Sequence, residues 1–527
     1  MDIPSLHSPQ EAARWLRERG ARRLVTHHQA VQPGDAWLAW PGARQDPRSH
    51  VDAALQAGAV ACLLEAQGWS GHISGAPASQ TCATLEGLKA CAGTVASLFL
   101  GEPSQQLQVA AVTGTNGKTS TAWWLAQAWA QLGQPCGLVG TLGMQWVSPS
   151  DSASTSSLAA ATPTGLTTPD AVALQTQWRE WADAGARHVA MEASSIGLEE
   201  HRLMGTQVDM ALFTNLTRDH LDYHGTMDRY WAAKRRLFEG PVKAAGVNID
   251  DPHGAALAHD LRHRSLDLWT VSTSSPGTTQ ARLRACDIVP SQGGTQFVVH
   301  EEAPSASSVQ AWAPVVGTFN VNNLLLVVAA LRHGGVPLHQ AVQCLAACPA
   351  VPGRLQRVGQ PSLASSAPPG PRAQGPHIFV DYAHTPDALE KVLRTLQPLA
   401  QAQGGQLWCV FGCGGQRDRG KRPLMAAVAS SLAQRLVLTS DNPRNESAAD
   451  IIDDMVKGFT RHHGSEFRRI EDRGEAIAWA IAQAREQDVV LIAGKGHETT
   501  QEVAGVRHPF SDAEVAECAW RARVKGP

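Results

Sequence analysis

Apolar residues along the chain recur in short β-branched runs, each followed by turn residues and then by a stretch with helical spacing. The run Val109–Val112 leads through Thr113-Gly114-Thr115-Asn116-Gly117 into Lys118-Thr119-Ser120, and Ala122, Leu125, Ala126 and Trp129 then recur at helical intervals. This predicts a strand, a glycine-rich loop and a helix N-terminus. Strand, loop and helix keep alternating to about residue 350, which predicts a parallel sheet covered on both faces. Within it, His188–Met191 runs into Glu192-Ala193-Ser194-Ser195, and Met210–Phe213 runs into a polar stretch from Thr214 to Asp222. Polar clusters directly after buried strands lie at the carboxyl edge of a sheet, where open α/β folds bind ligands.

Residues before and after this stretch read as further α/β units. Over 1–103 the pattern predicts a helix near Pro9–Arg19, a strand Arg23–Thr26, a strand between turns within Gly34–Gly42, a helix His50–Gly58 and a buried strand Ala59–Leu64. Ser104–Leu107 reads as a linker. From 351 onward, strands His377–Val380, Leu407–Phe411, Leu436–Thr439 and Val489–Ala493 each end in a polar cluster, so one site lined by this region is the economical reading. Ser148–Thr162 and Pro361–Pro376 are of low complexity and read as surface insertions. The expected fold class is α/β in three domains, 1–103, 104–350 and 351–527. A central P-loop-type parallel-sheet domain is flanked by a small N-terminal α/β domain and a C-terminal Rossmann-like α/β domain.

Composition narrows the function classes. A chain of 527 residues is too long for one core, and about three domains is the natural division. With 43% hydrophobic and 18% charged residues it has ordinary globular composition, and a net charge of −3 offers no electrostatic case for nucleic acid or an anionic membrane. Met1–Ser5 carries no secretion signal and no run of 18 apolar residues occurs, so a cytoplasmic location without a membrane span is expected. Ten cysteines are scattered; Cys344 with Cys348 and Cys409 with Cys413 lack matched metal-ligand partners, and free thiols are the expected state.

The glycine-rich loop carries the chemistry. Its backbone N–H groups and the positive helix end favour polyphosphate, Lys118 adds a point charge, and Thr119 offers a hydroxyl to Mg²⁺. The spacing departs from the general P-loop, with Val112 where a glycine is usual and Gly114 closer to the lysine. A glycine-rich hairpin or an ordinary strand–helix turn is the alternative, but such a turn has no use for Gly-Lys-Thr after a buried strand. From the residues alone, an exposed loop carboxylate is the lesser reading of Glu192, while His220 reads more readily as a structural histidine and Lys234 as a solvated helix residue.

Taken together, Thr113–Thr119, Met191–Ser195, Asn215–Gly225, Lys234, Asp381–Pro386, Gly412–Pro423, Asp441–Arg444 and Gly494–Glu498 resemble the Mur ligases. The resemblance runs from about residue 20 to 515. It implies a ligase that phosphorylates a carboxylate with ATP and lets an amine attack the acyl phosphate, in peptidoglycan precursor synthesis. Gly114, Thr115, Asn116, Gly117, Lys118, Thr119 and Ser120 are then the phosphate contacts. Thr119 and Glu192 hold one Mg²⁺, and His220 a second. Lys234 carries a CO₂-derived carbamate that turns a repelling ammonium into oxygen ligands. Lys118, Glu192, His220 and Lys234 form the catalytic set. Asn320 and Asn323 fall on the adenine side, although N-capping explains Asn320 almost as well. Arg354, Asp381 and His384 approach the ribose and phosphates when the C-terminal domain closes.

The resemblance also implies the acceptor substrates. Thr167, Thr168, Ser194, Glu200 and Arg202 align with contacts to the dipeptide of UDP-N-acetylmuramoyl-L-alanyl-D-glutamate. The sequence departs from the family pattern at Thr26-His27-His28, where Asp-Ser-Arg is usual. It departs again at Leu166 for Asn, Ile196 for His and Glu200 for Gln. Asp441, Asn442, Pro443 and Arg444 match the version that takes meso-diaminopimelate, whose second carboxylate a guanidinium grips bidentately. Gly494 adjoins that site. Arg417 is expected on carboxylate and Glu498 on the distal ammonium. A related Mur or folylpolyglutamate-type ligase using another amino acid such as L-lysine remains the alternative enzyme, and a nucleotide-controlled P-loop switch the alternative class. The implied protein is a monomer with small-molecule partners.

Overall fold

The structure, a computed structural model, describes residues 3–525 apart from 43–44, 71–72, 74–77, 150–160, 163, 275–279, 292–293, 303–305, 360–374 and 460–465. Most of the two low-complexity insertions therefore lies outside the described residues. Three large sheets organise the rest.

Near the N-terminus, five parallel strands run in the order Ser5–Leu6, Cys82–Leu85, Ala61–Glu65, Asp35–Ala39, Arg23–Val25. The linker expected at Ser104–Leu107 contains a 3₁₀ turn, Pro103–Gln106.

In the central ten-stranded sheet, Gln108–Thr113 lies between Met210–Phe213 and His188–Glu192, all three parallel. Because the strands are in register, the loops beginning at Gly114, Ala193 and Thr214 open at one edge. Helices Lys118–Gln131 and Thr318–His333 are apolar nearly all round and cover one face as the centre of the core. Ala171–Asp183, Met227–Glu239 and Pro252–Leu261 cover the other.

The parallel reading of this region needs correction. Leu283–Ser291, Gly294–Glu301 and Ser307–Ala313 form an antiparallel meander at one edge, and Gly143–Val147 pairs antiparallel at the other. A parallel neighbour requires a crossover of about a dozen residues, and the short connections here close only as hairpins.

The C-terminal sheet has the order Gln356–Val358, His377–Asp381, Val489–Ala493, Leu407–Phe411, Arg435–Leu438, Glu466–Arg469, parallel except for its first strand. The four polar clusters foreseen after 381, 411, 438 and 493 thus share one carboxyl edge. That edge is anchored by Arg473, which is wholly buried with Asp512 at 2.7 Å and donates to the carbonyls of Ser440 (3.2 Å) and Ala493 (2.9 Å). These carbonyls directly precede Asp441 and Gly494.

Removing one partner of a buried ion pair leaves the other charge uncompensated. Asp512→Asn is expected to destabilise the C-terminal region by about 3–5 kcal/mol. The check is the urea midpoint for its unfolding against the unchanged chain.

Candidate functional site

The glycine-rich loop is squeezed between two neighbours that leave no room for side chains. Gly114 has φ 142°, and a Cβ there would fall 1.9 Å from Thr214 Oγ1. Gly117 has φ 86°, and a Cβ there would fall 2.5 Å from Asn323 Oδ1. Both positions therefore demand glycine. The backbone N–H of Thr115 donates to Asn215 O (2.8 Å) and that of Asn116 to Asn215 Oδ1 (3.0 Å), while Thr214 Oγ1 donates to Asn116 O (2.6 Å). Lys118 Nζ folds back on the carbonyls of Gly114 (2.9 Å) and Thr115 (2.8 Å). Burial lowers its pKa, opposed by Glu192 and Asp219.

Glu192 ends its strand only 1% exposed, so it is not a loose loop carboxylate. Its Oε2 accepts from Thr119 Oγ1 at 3.0 Å and Thr141 Oγ1 at 3.3 Å, and its Oε1 accepts from the Thr141 N–H at 2.7 Å. Gly140 makes this possible, since a Cβ there would stand 2.2 Å from Oε1. Around the same carboxylate, Thr168 Oγ1 donates to Glu192 O (2.9 Å) and meets Ser194 Oγ at 2.9 Å. Thr167 Oγ1 meets Thr141 Oγ1 at 3.3 Å, and Arg202 Nη1 donates to Thr168 O at 2.9 Å. Glu200 sits at the rim, ion-paired with Lys89 at 2.6 Å and accepting from the Tyr223 hydroxyl.

Lys234 lies on the buried face of helix Met227–Glu239 and is 1% exposed. Its Nζ donates to Gly114 O at 2.7 Å and lies 4.3 Å from the Tyr230 ring centroid. Burial, reinforced by Lys118, holds the ammonium well below the ordinary lysine range. His220 takes the left-handed backbone at φ 51°, with Nε2 3.5 Å from Asp219, and burial lowers its pKa. A non-glycine residue there is uncommon, and such strain concentrates at working sites.

The C-terminal sheet edge faces this loop. Arg354 Nη2 donates to Thr119 Oγ1 at 3.3 Å, and its guanidinium lies 4.4 Å from the Tyr382 ring centroid. Asn116 Nδ2 reaches Asp387 Oδ2 at 3.2 Å. Asp381 accepts from the N–H groups of Leu355 (2.7 Å) and Ala383 (2.8 Å); burial nevertheless raises its pKa. His384 is held by Tyr382 O at 2.8 Å, and burial lowers its pKa.

Arg444 also has a left-handed backbone, φ 53°, and its Nη1 donates to Gly415 O at 2.7 Å. A Cβ on Gly414 would lie 3.1 Å from that Nη1 and 3.7 Å from the Cγ of exposed Arg417, so the two arginines flank Gly414. Asn442 Nδ2 donates to Glu498 Oε2 at 2.8 Å, and Gly494 (φ 121°) leaves space for Asp441 Oδ2, which a Cβ would approach to 2.5 Å.

Known proteins now enter the comparison. The model of the Mur ligase middle domain matches residues 112–331, and that of the Mur ligase glutamate ligase domain matches 370–496. The UDP-N-acetylmuramoyl-L-alanyl-D-glutamate–2,6-diaminopimelate ligase of Acidovorax sp. (strain JS42) is 49% identical, covering 99% of both chains. The ligase of the same name from Pseudomonas aeruginosa is 44% identical over 95% of both. This chain belongs to the Mur ligase family. A solved structure of a ligase so named has TM-score 0.63 at 33% identity, covering 95% of both chains. MurF from Acinetobacter baumannii shares the fold, with TM-score 0.61 at 18% identity, over 92% of this chain and 95% of that one.

In this Mur ligase chain, Thr119 meets the Glu192 carboxylate directly, Arg354 and Thr167 reach it through Thr119 and Thr141, and Thr168 and Ser194 join at the Glu192 carbonyl, while Lys118 rests on the adjoining loop. Among the described residues no three His, Cys, Asp or Glu side chains converge as a metal cluster. The pair Glu192–Thr119 still fits Mg²⁺, which takes one or two protein oxygens and fills its shell with phosphate and water. Two site residues have protein partners of their own. Asn320 is not the N-cap, which is Gly317; it sits in the first turn with Nδ2 on Val316 O at 2.9 Å. Glu498, expected on a substrate ammonium, is ion-paired at 2.7 Å with Lys495, because that lysine is buried and requires a counter-charge. Thr141, Lys89, Lys495 and Glu502, whose Oε2 lies 3.8 Å from Arg444 Nε, were not foreseen. Only Lys495, inside Gly494–Glu498, carried a motif signal.

The tight fit of Gly140 generates a prediction. Gly140→Ala pushes the Glu192 carboxylate out of place, and kcat for ATP-dependent turnover is expected to fall about 100-fold with the melting transition retained. Initial-rate measurement of ADP release beside a thermal scan checks it.

Proposed function

We propose that this protein joins meso-diaminopimelate to the D-glutamate of UDP-N-acetylmuramoyl-L-alanyl-D-glutamate, with ATP cleaved to ADP and phosphate. The observation that carries the reading is Asp441-Asn442-Pro443-Arg444 at the carboxyl edge of the C-terminal sheet, with Arg444 beside Arg417 at Gly414. The names of the relatives at 42–49% identity agree with it. We assign residues 1–103 to the UDP-substrate domain, 104–350 to the ATP domain and 351–527 to the amino-acid domain.

The chemistry follows from the residues. A carboxylate oxygen of the dipeptide attacks the γ-phosphorus of ATP and ADP departs. The free amine then attacks the acyl carbon, expelling phosphate and losing a proton. Moving a phosphoryl group between anions needs positive charge more than a protein nucleophile. Lys118, Arg354 and the loop N–H groups supply that charge. Asn320 and Asn323 bind on the adenine side, with Asp381 and His384 near the ribose and phosphates. Thr119 and Glu192 would hold one Mg²⁺ and His220 a second, which would supply neutralisation of phosphate charge. Thr167, Thr168, Ser194 and Arg202 orient the dipeptide, with Glu200 at the rim beside them. The C-terminal edge keeps water from the acyl phosphate. Product mass after incubation with ATP, the UDP-muramoyl dipeptide and each candidate diamino acid tests the whole reading. A lysine adduct, or ADP release without acceptors, overturns it.

Lys234 is assigned as a carbamate. Only a neutral amine attacks CO₂, and burial beside Lys118 favours that form. A carbamate there would supply negative oxygens in place of an ammonium. Lys234→Ala is expected to be nearly inactive, with partial recovery when a short-chain carboxylate is added. Turnover of a folded Lys234→Ala protein near that of the unchanged chain counts against the carbamate.

Arg444 decides between diamino acids. Its loss leaves the distal carboxylate of diaminopimelate desolvated without a partner, at a cost of about 2–5 kcal/mol. Lysine has no carboxylate there. Arg444→Ala is therefore expected to lower kcat/KM for diaminopimelate steeply and to relax the exclusion of lysine. Equal losses for both substrates refute the assignment.

A further inference from the structure

Helix Leu88–Phe99, which packs on the N-terminal sheet, also meets the loop after Glu199 without intervening side chains. A Cβ on Gly93 would lie 1.9 Å from Met204 O, and one on Gly205 would lie 2.3 Å from Gly93 O. This backbone contact fixes the helix against the loop. Lys89 lies one turn before Gly93 on the same face, and its Nζ meets Glu200 Oε2 at 2.6 Å. Tyr223 donates to the other oxygen of Glu200. Burial pushes the Glu200 carboxyl up, and the hydrogen bonds from Lys89 and Tyr223 more than offset it, with Arg202 contributing in the same direction.

The charge arithmetic is unfavourable without Lys89. A dipeptide ending in D-glutamate brings two carboxylates to the rim where Glu200 stands, and Arg202 alone would face three anions. We propose that Lys89 is a positioning residue for the UDP-muramoyl dipeptide: it neutralises Glu200 across the seam between the N-terminal and central sheets. Arg202, tied at 2.9 Å to Thr168 O, is thereby left free to meet a substrate carboxylate. Glu200 and Lys89 thus act as a unit, and the seam becomes part of the specificity for an anionic acceptor. The inference rests on the proposed placement of the dipeptide at Thr167, Thr168, Ser194 and Arg202.

Steady-state kinetics of the full chain test it, with ATP and diaminopimelate saturating and the UDP-muramoyl dipeptide varied. Lys89→Met is expected to raise KM for the dipeptide about tenfold, because an unpaired like charge now faces the substrate, with kcat little changed. Lys89→Met combined with Glu200→Gln is expected to bring KM back to within about threefold of the unchanged chain, since the repelling charge is gone. A double variant as poor as Lys89→Met, or a loss confined to kcat, overturns the proposal and makes Lys89 a structural clamp. Arg202→Ala separates the two levels. A raised KM there, with Lys89→Met at the ordinary value, overturns the role of Lys89 and keeps the dipeptide site. Ordinary KM values in both variants overturn the dipeptide placement as well.

Discussion

The site is built around a nearly buried carboxylate whose acceptor oxygens must all be satisfied. Glu192 meets that demand with the hydroxyl of Thr119, the hydroxyl and N–H of Thr141, and space cleared by Gly140. Each partner comes from a different strand end: Thr119 follows Gln108–Thr113, and Thr141 follows Cys136–Gly140. The parallel register that brings these ends level is therefore a condition for the carboxylate's existence in the core. Thr168 and Ser194 then hang on the same point through Glu192 O and each other.

Two cations stand beside the glycine-rich loop, each held by carbonyls, a hydroxyl or a ring rather than by carboxylates. Lys118 rests on two carbonyls, and Arg354 on a hydroxyl and a ring. Such partners position a cation without neutralising it, which leaves its field available to an anionic ligand. The reverse holds at the rim and in the C-terminal edge, where Lys89 and Lys495 are matched by Glu200 and Glu498.

Between the three sheets, polar contacts of modest strength accompany the close packing of Gly93 on Met204 and of Val172 on the N-terminal core. Arg354 to Thr119, Asn116 to Asp387 and Lys89 to Glu200 are part-buried or half-exposed, and contacts of that kind are individually weak. Within each sheet, by contrast, apolar cores and the buried Arg473–Asp512 pair resist displacement.

Much of this was legible along the chain. Apolar runs located Met210–Phe213, Leu407–Phe411 and Val489–Ala493 to the residue, and the glycines and polar clusters marked the loop after Thr113 and the carboxyl edges of the sheets, because periodicity and turn chemistry are local properties. The antiparallel edge from Leu283 to Ala313 was not read, since pairing direction depends on which strand lies beside which. Tertiary structure alone decided that Lys234 is buried, that Thr141 completes the shell of Glu192, that Glu498 answers Lys495, and that Lys89 crosses a seam to Glu200. None of these side chains differs in type from a solvated surface residue. What distinguishes them is a partner distant in sequence, or the depth at which the fold sets them, and spacing along the chain carries no trace of either.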